Sequence, residues 1–263
     1  MVYTQHMGQC HDAVTATLAC RSPSSPYQVI AVASYAVREL ASELPFERIS
    51  CVPNEVEVPR DNGFQVQGRG APSIYYHGRL SKRKGRDTAV IAFLMILCLY
   101  PDTHLHIIGT GPEEPLLRKL VSAPDIVDAV TFYGSVPGAL SPHLNVDLLL
   151  APSREDAASL VVCEAMACGV PVITTDVDGT RDIIGPEGVD RVIPPNDAGA
   201  TFRAAVSWLR TSDPARADSL FAARHRYFSL FSHESMIRNT FDVYGDLLSR
   251  HQICDVSVGS ETP

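Results

Sequence analysis

The middle of the chain alternates short apolar runs with longer segments that have helical periodicity. The runs lack the polar alternation of a half-exposed strand, which is typical of parallel strands covered on both faces. The pattern predicts an α/β fold, a Rossmann-like doubly wound parallel sheet. The predicted strands are Ser73–His77, Leu105–Ile108, Val130–Tyr133, Val146–Ala151 and Val172–Thr175, and the predicted helices between them are Gly85–Leu99, Glu113–Val121 and Leu160–Cys168.

The carboxyl ends of these strands define the expected ligand side of the sheet. In doubly wound sheets, ligands bind in the crevice beyond the carboxyl ends. We therefore expect the segments after Gly78, Gly109, Gly134 and Pro152 to share one rim.

The two ends of the chain differ from the middle. The first 55 residues predict a strand at 29–33, a helix at 35–44 and a strand at 49–53, and so few units cannot bury both faces of a sheet alone. Residues 200–250 have helical character, and the tail from Cys254 is polar and predicted to be mobile.

The composition narrows the class of protein. A net charge of −8 argues against a general nucleic-acid binder. Seven scattered cysteines without metal or redox spacing indicate a reducing, cytoplasmic compartment. The start has no signal-peptide pattern, and the longest apolar run, Ala89 to Tyr100, is too short to span a bilayer and predicts a core helix.

A basic segment, "GRLSKRKG" from Gly78 to Gly85, lies between a predicted strand and helix on the expected rim. Arg79 and Lys84 can bind phosphate oxygens, and the start of the helix adds free backbone N–H groups. The segment suits a diphosphate. The alternative is a solvated basic loop or a targeting-type cluster.

An acidic pair follows the strand that ends before Pro152. Glu164 is the only charge in an apolar helix, so its carboxylate needs a partner such as a ribose hydroxyl, a structural arginine or backbone donors. Asp156 precedes that helix and can accept hydrogen bonds from sugar hydroxyls. The alternative is capping of the helix by Asp156 or Ser159.

The segment Gly109-Thr110-Gly111 is weaker evidence. A lone Gly-x-Gly rarely specifies a phosphate site, and a tight strand-to-helix turn explains it as well.

Taken in order, these segments resemble glycosyltransferase family 4, the group 1 glycosyl transferases with the GT-B fold. The resemblance rests on "GRLSKRKG", "HIIGTGPEEPLLRKL", "VTFYGSVP", "DLLLAPSREDAASLVVCEAMACGVPVITTDVDG" and "RVIPPNDAGATFRAAVSWL", within residues 29–250. It implies two Rossmann-like domains across a cleft, with the nucleotide sugar held mainly by the C-terminal domain and the acceptor mainly by the N-terminal one.

The resemblance also implies roles for single residues. Arg79 and Lys84 match the basic pair that binds the donor diphosphate. Glu164 matches the acid that grips the ribose, and Asp156 falls at the acid that contacts the donor sugar. The other donor-binding positions that the resemblance implies are Gly78, Val136 near the nucleobase, and the loop Ala157, Ala158, Ser159 and Leu160.

The sequence departs from the family pattern in several places. Asp156 replaces a usual Glu, Ala157-Ala158-Ser159 replaces Gly-Phe-Gly, and residues 54–57 differ from the common Asn-Gly-Val-Asp. Much of the family's N-terminal domain has no counterpart, so the chain resembles an N-terminally truncated member. His6 then matches an active-site histidine that faces the donor sugar, and a terminal histidine without a role is the alternative.

These matches predict a domain organisation. Residues 1–55 are a remnant of the acceptor domain, 56–232 the nucleotide-sugar-binding domain, 233–250 a crossover helix and 251–263 a flexible tail.

The function implied by the resemblance is retaining transfer of a sugar from a nucleotide diphosphate sugar to an unknown acceptor, without metal or cofactor. The incomplete acceptor half predicts that activity requires a second polypeptide. A non-catalytic module that binds nucleotide sugars or a partner is the alternative, and a sugar-nucleotide epimerase is a third hypothesis.

The last helical segment indicates a partner surface. Its apolar positions recur at helical spacing, so one face needs burial. We expect an acceptor-domain subunit or self-association to cover it, unless the N-terminal remnant does. Nucleic acid is not expected, and membrane contact is not indicated. The apolar positions are Met236, Ile237, Phe241, Tyr244, Leu247 and Leu248.

Overall fold

The computed structural model describes residues 2–5, 27–56, 71–136, 147–156 and 158–258, with the backbone alone at 2–5, 187, 189–190 and 250–258. Two of the predicted site residues, His6 and Ala157, lie outside the described residues. The chain divides into two units, Val56–Ser229 and the pair of segments Met1–Glu55 and Leu230–Pro263.

The elements are labelled in chain order. The strands are β1 (Val2–Gln5), β2 (Gln28–Ala31), β3 (Ile49–Cys51), β4 (Ser73–His77), β5 (His104–Ile108), β6 (Val130–Gly134), β7 (Leu148–Ala151), β8 (Val172–Thr175) and β9 (Val192–Ile193). The α-helices are α1 (Ser34–Leu40), α2 (Arg86–Leu97), α3 (Glu114–Leu120), α4 (Leu160–Cys168), α5 (Thr180–Ile184), α6 (Ala198–Arg210), α7 (Asp213–Leu230) and α8 (His233–Val258).

The smaller unit is a parallel sheet in the order β1-β2-β3. Residues of α1 pack with Val29 and Ala31 on one face. On the other face Ile30 and Val52 pack with Val243 of α8. The last helix therefore covers the sheet, which is the outcome that the sequence left open.

Several apolar side chains of α8 stay exposed in the described part of the chain. Phe241 is 71% exposed and Leu248 is 62% exposed. A partner for this surface stays a prediction. The helix also extends to Val258, into the segment 251–263 for which the sequence predicted a tail.

The larger unit contains a six-stranded parallel sheet in the order β6-β5-β4-β7-β8-β9. The chain adds β4, β5 and β6 toward one edge and then β7, β8 and β9 toward the other. The switch point therefore lies between β4 and β7, where doubly wound sheets bind their ligands. This sheet confirms the predicted fold class.

Helices cover both faces of this sheet. One face packs on α2, α3 and α6, around the fully buried Phe93 and Ile96 of α2. The apolar run that predicted a core helix is thus the middle of this layer. On the other face α4 packs against β7 and β8. No helix in the described part of the chain is long and apolar enough to cross a membrane.

Candidate functional site

Two loops meet at the switch point, one after β4 and one after β7. Gly85 ends the first loop with a φ of +61°, and a Cβ atom built on it lies 1.7 Å from the carbonyl oxygen of Pro152. The Arg154 backbone N–H donates to the Arg83 carbonyl over 2.7 Å. Glycine at position 85 is therefore what allows the two backbones to touch.

An ion pair links the predicted diphosphate and sugar residues. Lys84 Nζ lies 2.8 Å from Asp156 Oδ2, and the two side chains are 35% and 10% exposed. Ser153 Oγ donates to the same carboxylate oxygen over 3.3 Å. The backbone N–H of Asp156 donates to Asp178 Oδ2 over 2.9 Å. The structure thus brings together two residues that are 72 positions apart.

Arg79 lies on the same loop as Lys84 but differs in environment. Its side chain is exposed. Neither an ion pair nor a side-chain hydrogen bond joins it to another described residue. Arg79 is therefore a cation that can take an anionic ligand without first breaking a contact of this kind.

The buried hydroxyl of Tyr76 holds the basic loop. Tyr76 Oη lies 3.2 Å from the carbonyl oxygen of Arg79 and 3.3 Å from that of Lys84. Burial raises the pKa of Tyr76 well above its ordinary value, so the hydroxyl remains a donor. The sequence analysis missed this residue. The available signal was a tyrosine inside a buried strand, since a buried hydroxyl needs a partner.

We expect Tyr76→Phe to lower the free energy of unfolding by about 1 kcal/mol, the net value of one hydrogen bond. Tyr75→Phe is the matched control, because the Tyr75 hydroxyl makes no hydrogen bond with a described residue and should be nearly neutral. Urea unfolding of both variants checks this. Equal loss of stability in the two variants would contradict the assigned role of the hydroxyl.

Arg154 joins the two loops a second time. Its Nη1 donates to the Lys82 carbonyl over 2.5 Å, and its Nη2 donates to Asp87 over 2.9 Å. Its Nε donates to the side chain of Asn196. Burial raises the Asp87 pKa, but the hydrogen bond and charge of Arg154, with the charge of Arg86, lower it more, so the net shift is downward. Asp87 is thus a charged partner for the arginine.

The loop after β5 packs against the basic loop, residues 78–85. A Cβ atom on Gly109 would lie 2.0 Å from the Gly78 carbonyl oxygen, and one on Gly111 would lie 2.4 Å from that of Leu80. The Leu80 backbone N–H donates to the Thr110 carbonyl over 3.0 Å. Packing of one turn against another accounts for both glycines, in line with the turn interpretation of Gly-x-Gly.

Glu164 lies on α4 and its side chain is 25% exposed. His77 at the end of β4 approaches this carboxylate, with His77 Nδ1 3.4 Å from Glu164 Oε2. The sequence analysis considered a structural arginine as a partner for Glu164. Among the described ion pairs, no arginine contacts this carboxylate.

The capping alternative for the acidic segment is not supported. Ser159 is the N-cap residue of α4, but its side chain makes no capping hydrogen bond. The Asp156 carboxylate is occupied by Lys84 and Ser153 instead. Asp156 is therefore part of the site between the loops.

The other predicted donor-binding residues surround these loops. Gly78 follows β4 directly with a φ of +151°. Val136 is exposed just after β6. Ala158 is half-buried, Ser159 is buried, and Leu160 is exposed at the start of α4.

The cysteines beside the site do not supply a nucleophile. Burial, followed by the charges of Glu164 and Asp156, raises the pKa of Cys163 to about 12. Burial is also the main cause that raises the pKa of Cys168, to about 11. Both thiols therefore stay protonated near neutral pH. Among the described residues, no group of three or more His, Cys, Asp or Glu side chains is placed to hold a metal ion.

Known proteins resemble this chain in sequence. The family model for glycosyl transferases group 1 matches residues 71–211, just over half of the chain. A phosphatidyl-myo-inositol mannosyltransferase of Mycolicibacterium smegmatis is 28% identical over 219 residues, which cover 77% of this chain and 55% of the relative. A GDP-mannose-dependent alpha-(1-6)-phosphatidylinositol monomannoside mannosyltransferase of the same organism is 30% identical over 59% of this chain and 42% of its own.

Solved structures resemble it in fold. Sucrose-phosphate synthase of Thermosynechococcus elongatus has a TM-score of 0.70 at 25% identity, over 95% of this chain and 68% of its own. Anabaena HepE, in complex with UDP and glucose, has a TM-score of 0.72 at 18% identity, over 94% and 71%. A glycosyltransferase of Rickettsia africae, with a TM-score of 0.74 at 18% identity over 94% of this chain and 70% of its own, also shares this fold.

The matches cover most of this chain but only part of each relative. The chain spans about half the length of the phosphatidyl-myo-inositol mannosyltransferases that it matches. The segment matched by the family model contains β4 to β9 and both loops of the switch point. By fold, by loop placement and by the family match, this chain belongs to the glycosyl transferases group 1 family.

Proposed function

We propose that the loops at the switch point bind the diphosphate and sugar of a nucleotide sugar. The observation that carries the proposal is the contact between Lys84 and Asp156, because it joins a basic loop to an acidic loop at the carboxyl ends of β4 and β7. Arg79 adds an exposed guanidinium on the first loop, and a planar guanidinium suits bidentate contact with phosphate.

The ion pair orders the two side chains that the proposal assigns to the donor. Lys84 Nζ lies 2.8 Å from Asp156 Oδ2. A diphosphate offers Lys84 a second anionic partner, and the sugar hydroxyls offer Asp156 hydrogen-bond donors. Both side chains can then engage the donor from nearly the positions that they already hold, which reduces the ordering cost of binding.

The proposed reaction is retaining transfer of the sugar. The bond between the anomeric carbon and the diphosphate oxygen breaks, and a bond to the acceptor oxygen forms on the same face. The acceptor proton passes to the leaving diphosphate. Arg79 and Lys84 stabilise the negative charge that develops on that diphosphate, which is the main electrostatic contribution we assign to this chain.

Two nucleobases are the first to test. One relative is described as GDP-mannose-dependent, and one solved neighbour holds UDP and glucose. We therefore propose a donor based on UDP or GDP, without a metal or cofactor. A partner subunit with an acceptor site, and the roles of His6 and Ala157, stay predictions.

Thermal unfolding with UDP, GDP, UDP-glucose and GDP-mannose tests the proposal, because a ligand that binds only the folded chain raises its melting temperature. We expect one nucleoside diphosphate and its sugar to raise it, by roughly 2–4 °C for each kcal/mol that the ligand, at the concentration used, adds to the free energy of unfolding. Inorganic sulfate at equal ionic strength is the control for nonspecific anion effects. If none of the four raises it above sulfate, donor binding is refuted.

Donor binding without chemistry is a distinct outcome. Release of free sugar from the bound nucleotide sugar, measured over hours, reports the bond-breaking step. A donor that binds but is neither hydrolysed nor transferred favours the non-catalytic binding module.

A further inference from the structure

His77 and Glu164 approach each other from neighbouring elements at the switch point. His77 ends β4, which pairs with β7, and Glu164 lies on α4, the helix that follows β7. His77 Nδ1 is 3.4 Å from Glu164 Oε2. That nitrogen is buried and has no hydrogen-bond partner among the described residues.

The other histidines on this face of the sheet have different contacts. His106 Nδ1 lies 2.8 Å from the Tyr133 hydroxyl, and His104 Nε2 lies 2.8 Å from the Thr131 hydroxyl. One ring nitrogen of each is thus hydrogen-bonded to a neutral group on β6. Of these three histidines, His77 alone directs a buried nitrogen toward a carboxylate.

A carboxylate that recognises a ligand benefits from such a neighbour. A glutamate side chain has several rotamers, and fixing one of them on binding costs conformational entropy. A hydrogen-bond donor that already holds one carboxylate oxygen restricts these rotamers before the ligand binds. It leaves the other carboxylate oxygen free for the ligand. Hydrogen bonds at binding sites often shorten when the ligand binds.

We propose that His77 is a positioning residue for ribose recognition. Its Nδ1–H holds Oε2 of Glu164, so that Oε1 faces the ribose hydroxyls of the donor. The inference rests on the proposed function, and it takes Glu164 as the group that binds the ribose of that donor, the role that the resemblance to the family implies.

Removal of the ribose hydroxyls separates this role from general effects on the fold. The probes are a nucleoside diphosphate, UDP or GDP, and its 2′,3′-dideoxy analogue, titrated by calorimetry. The wild-type chain should prefer the ribose form by about tenfold or more, as expected for hydrogen bonds to a charged acceptor. His77→Leu should lower the affinity for the ribose form by about 3- to 10-fold and leave the dideoxy form within twofold.

Conservative and distant changes provide the controls. His77→Asn keeps an N–H near the position of Nδ1 and should restore most of the preference. His106→Leu alters a histidine on the next strand whose partner is Tyr133, and it should leave the preference unchanged. In a Glu164→Ala background, His77→Leu should have no further effect on affinity.

Each contrary outcome has its own meaning. If His77→Leu weakens both probes equally, or neither, the positioning role is wrong while nucleotide binding stands. If the wild-type chain binds both probes equally, Glu164 does not bind the ribose and the inference falls with it. If neither probe binds, the proposed function itself fails. Should His77→Leu not fold, His77→Asn compared with Glu164→Gln decides, because the first should keep the preference and the second should lose it.

Discussion

Replacing Arg79 by alanine is expected to weaken binding of a nucleoside diphosphate by about 1.5–3 kcal/mol, or about 10- to 150-fold. This loss of binding free energy is the value expected when a charged hydrogen bond to phosphate is removed. Stability should hardly change, because the Arg79 side chain is exposed and pairs with no other described residue. The effect therefore appears in binding alone.

The neighbouring Arg83 provides the matched control. It lies on the same loop, and its Nε is 3.0 Å from Glu155 Oε2 in a pair that is more than half exposed. Arg83→Ala removes the same charge and should change the affinity by about threefold or less, since exposed pairs contribute little. Calorimetry with UDP or GDP measures both. Equal losses in the two variants would mean that the loop attracts the diphosphate only through its net charge.

Replacing Gly85 by alanine is expected to destabilise the larger unit by at least about 2 kcal/mol and to weaken diphosphate binding at the same time. The left-handed backbone at φ +61° alone costs about 1–2 kcal/mol for a residue with a Cβ atom. The new methyl group would also lie 1.7 Å from the Pro152 carbonyl oxygen. The two loops must therefore separate, which pulls Lys84 away from Asp156.

Gly134 isolates the first of these two effects. Its φ is +70°, but a Cβ atom built there has no described residue within 4 Å. Gly134→Ala should therefore cost only the backbone term, about 1–2 kcal/mol. Urea unfolding of both variants, followed by calorimetry on the folded protein, makes the comparison. If Gly85→Ala is no more destabilising than Gly134→Ala, the loops are not in the close contact described.

Element prediction from the sequence was accurate where local pattern decides the structure. Ser73–His77, Val172–Thr175 and Leu160–Cys168 have the predicted bounds. Buried runs without polar alternation adopt strands in any parallel sheet, and the glycine after Cys168 ends its helix with a left-handed turn. These signals lie within a few residues of one another, so a single sequence contains them.

The residues of the candidate site could be predicted only in part from the sequence. Arg79, Lys84 and Asp156 carry charges in loops after strands, and Glu164 is the only charge in its helix. Their resemblance to a family pattern implied their roles. Tyr76 carries no charge, and the resemblance implied no role for it. Its hydroxyl acts through backbone carbonyls of the loop that follows.

By itself, the sequence determined the class of fold, five of the six strands of the larger sheet with the helices between them, and the charged residues of the two loops, because these depend on local hydrophobic pattern and on residue chemistry. Only the tertiary structure decided which strands are neighbours, and with that which loops touch. Lys84 meets Asp156 across 72 positions because β4 and β7 pair at the switch point. His77 meets Glu164 for the same reason, since contacts between distant segments follow from sheet order, which local pattern does not encode.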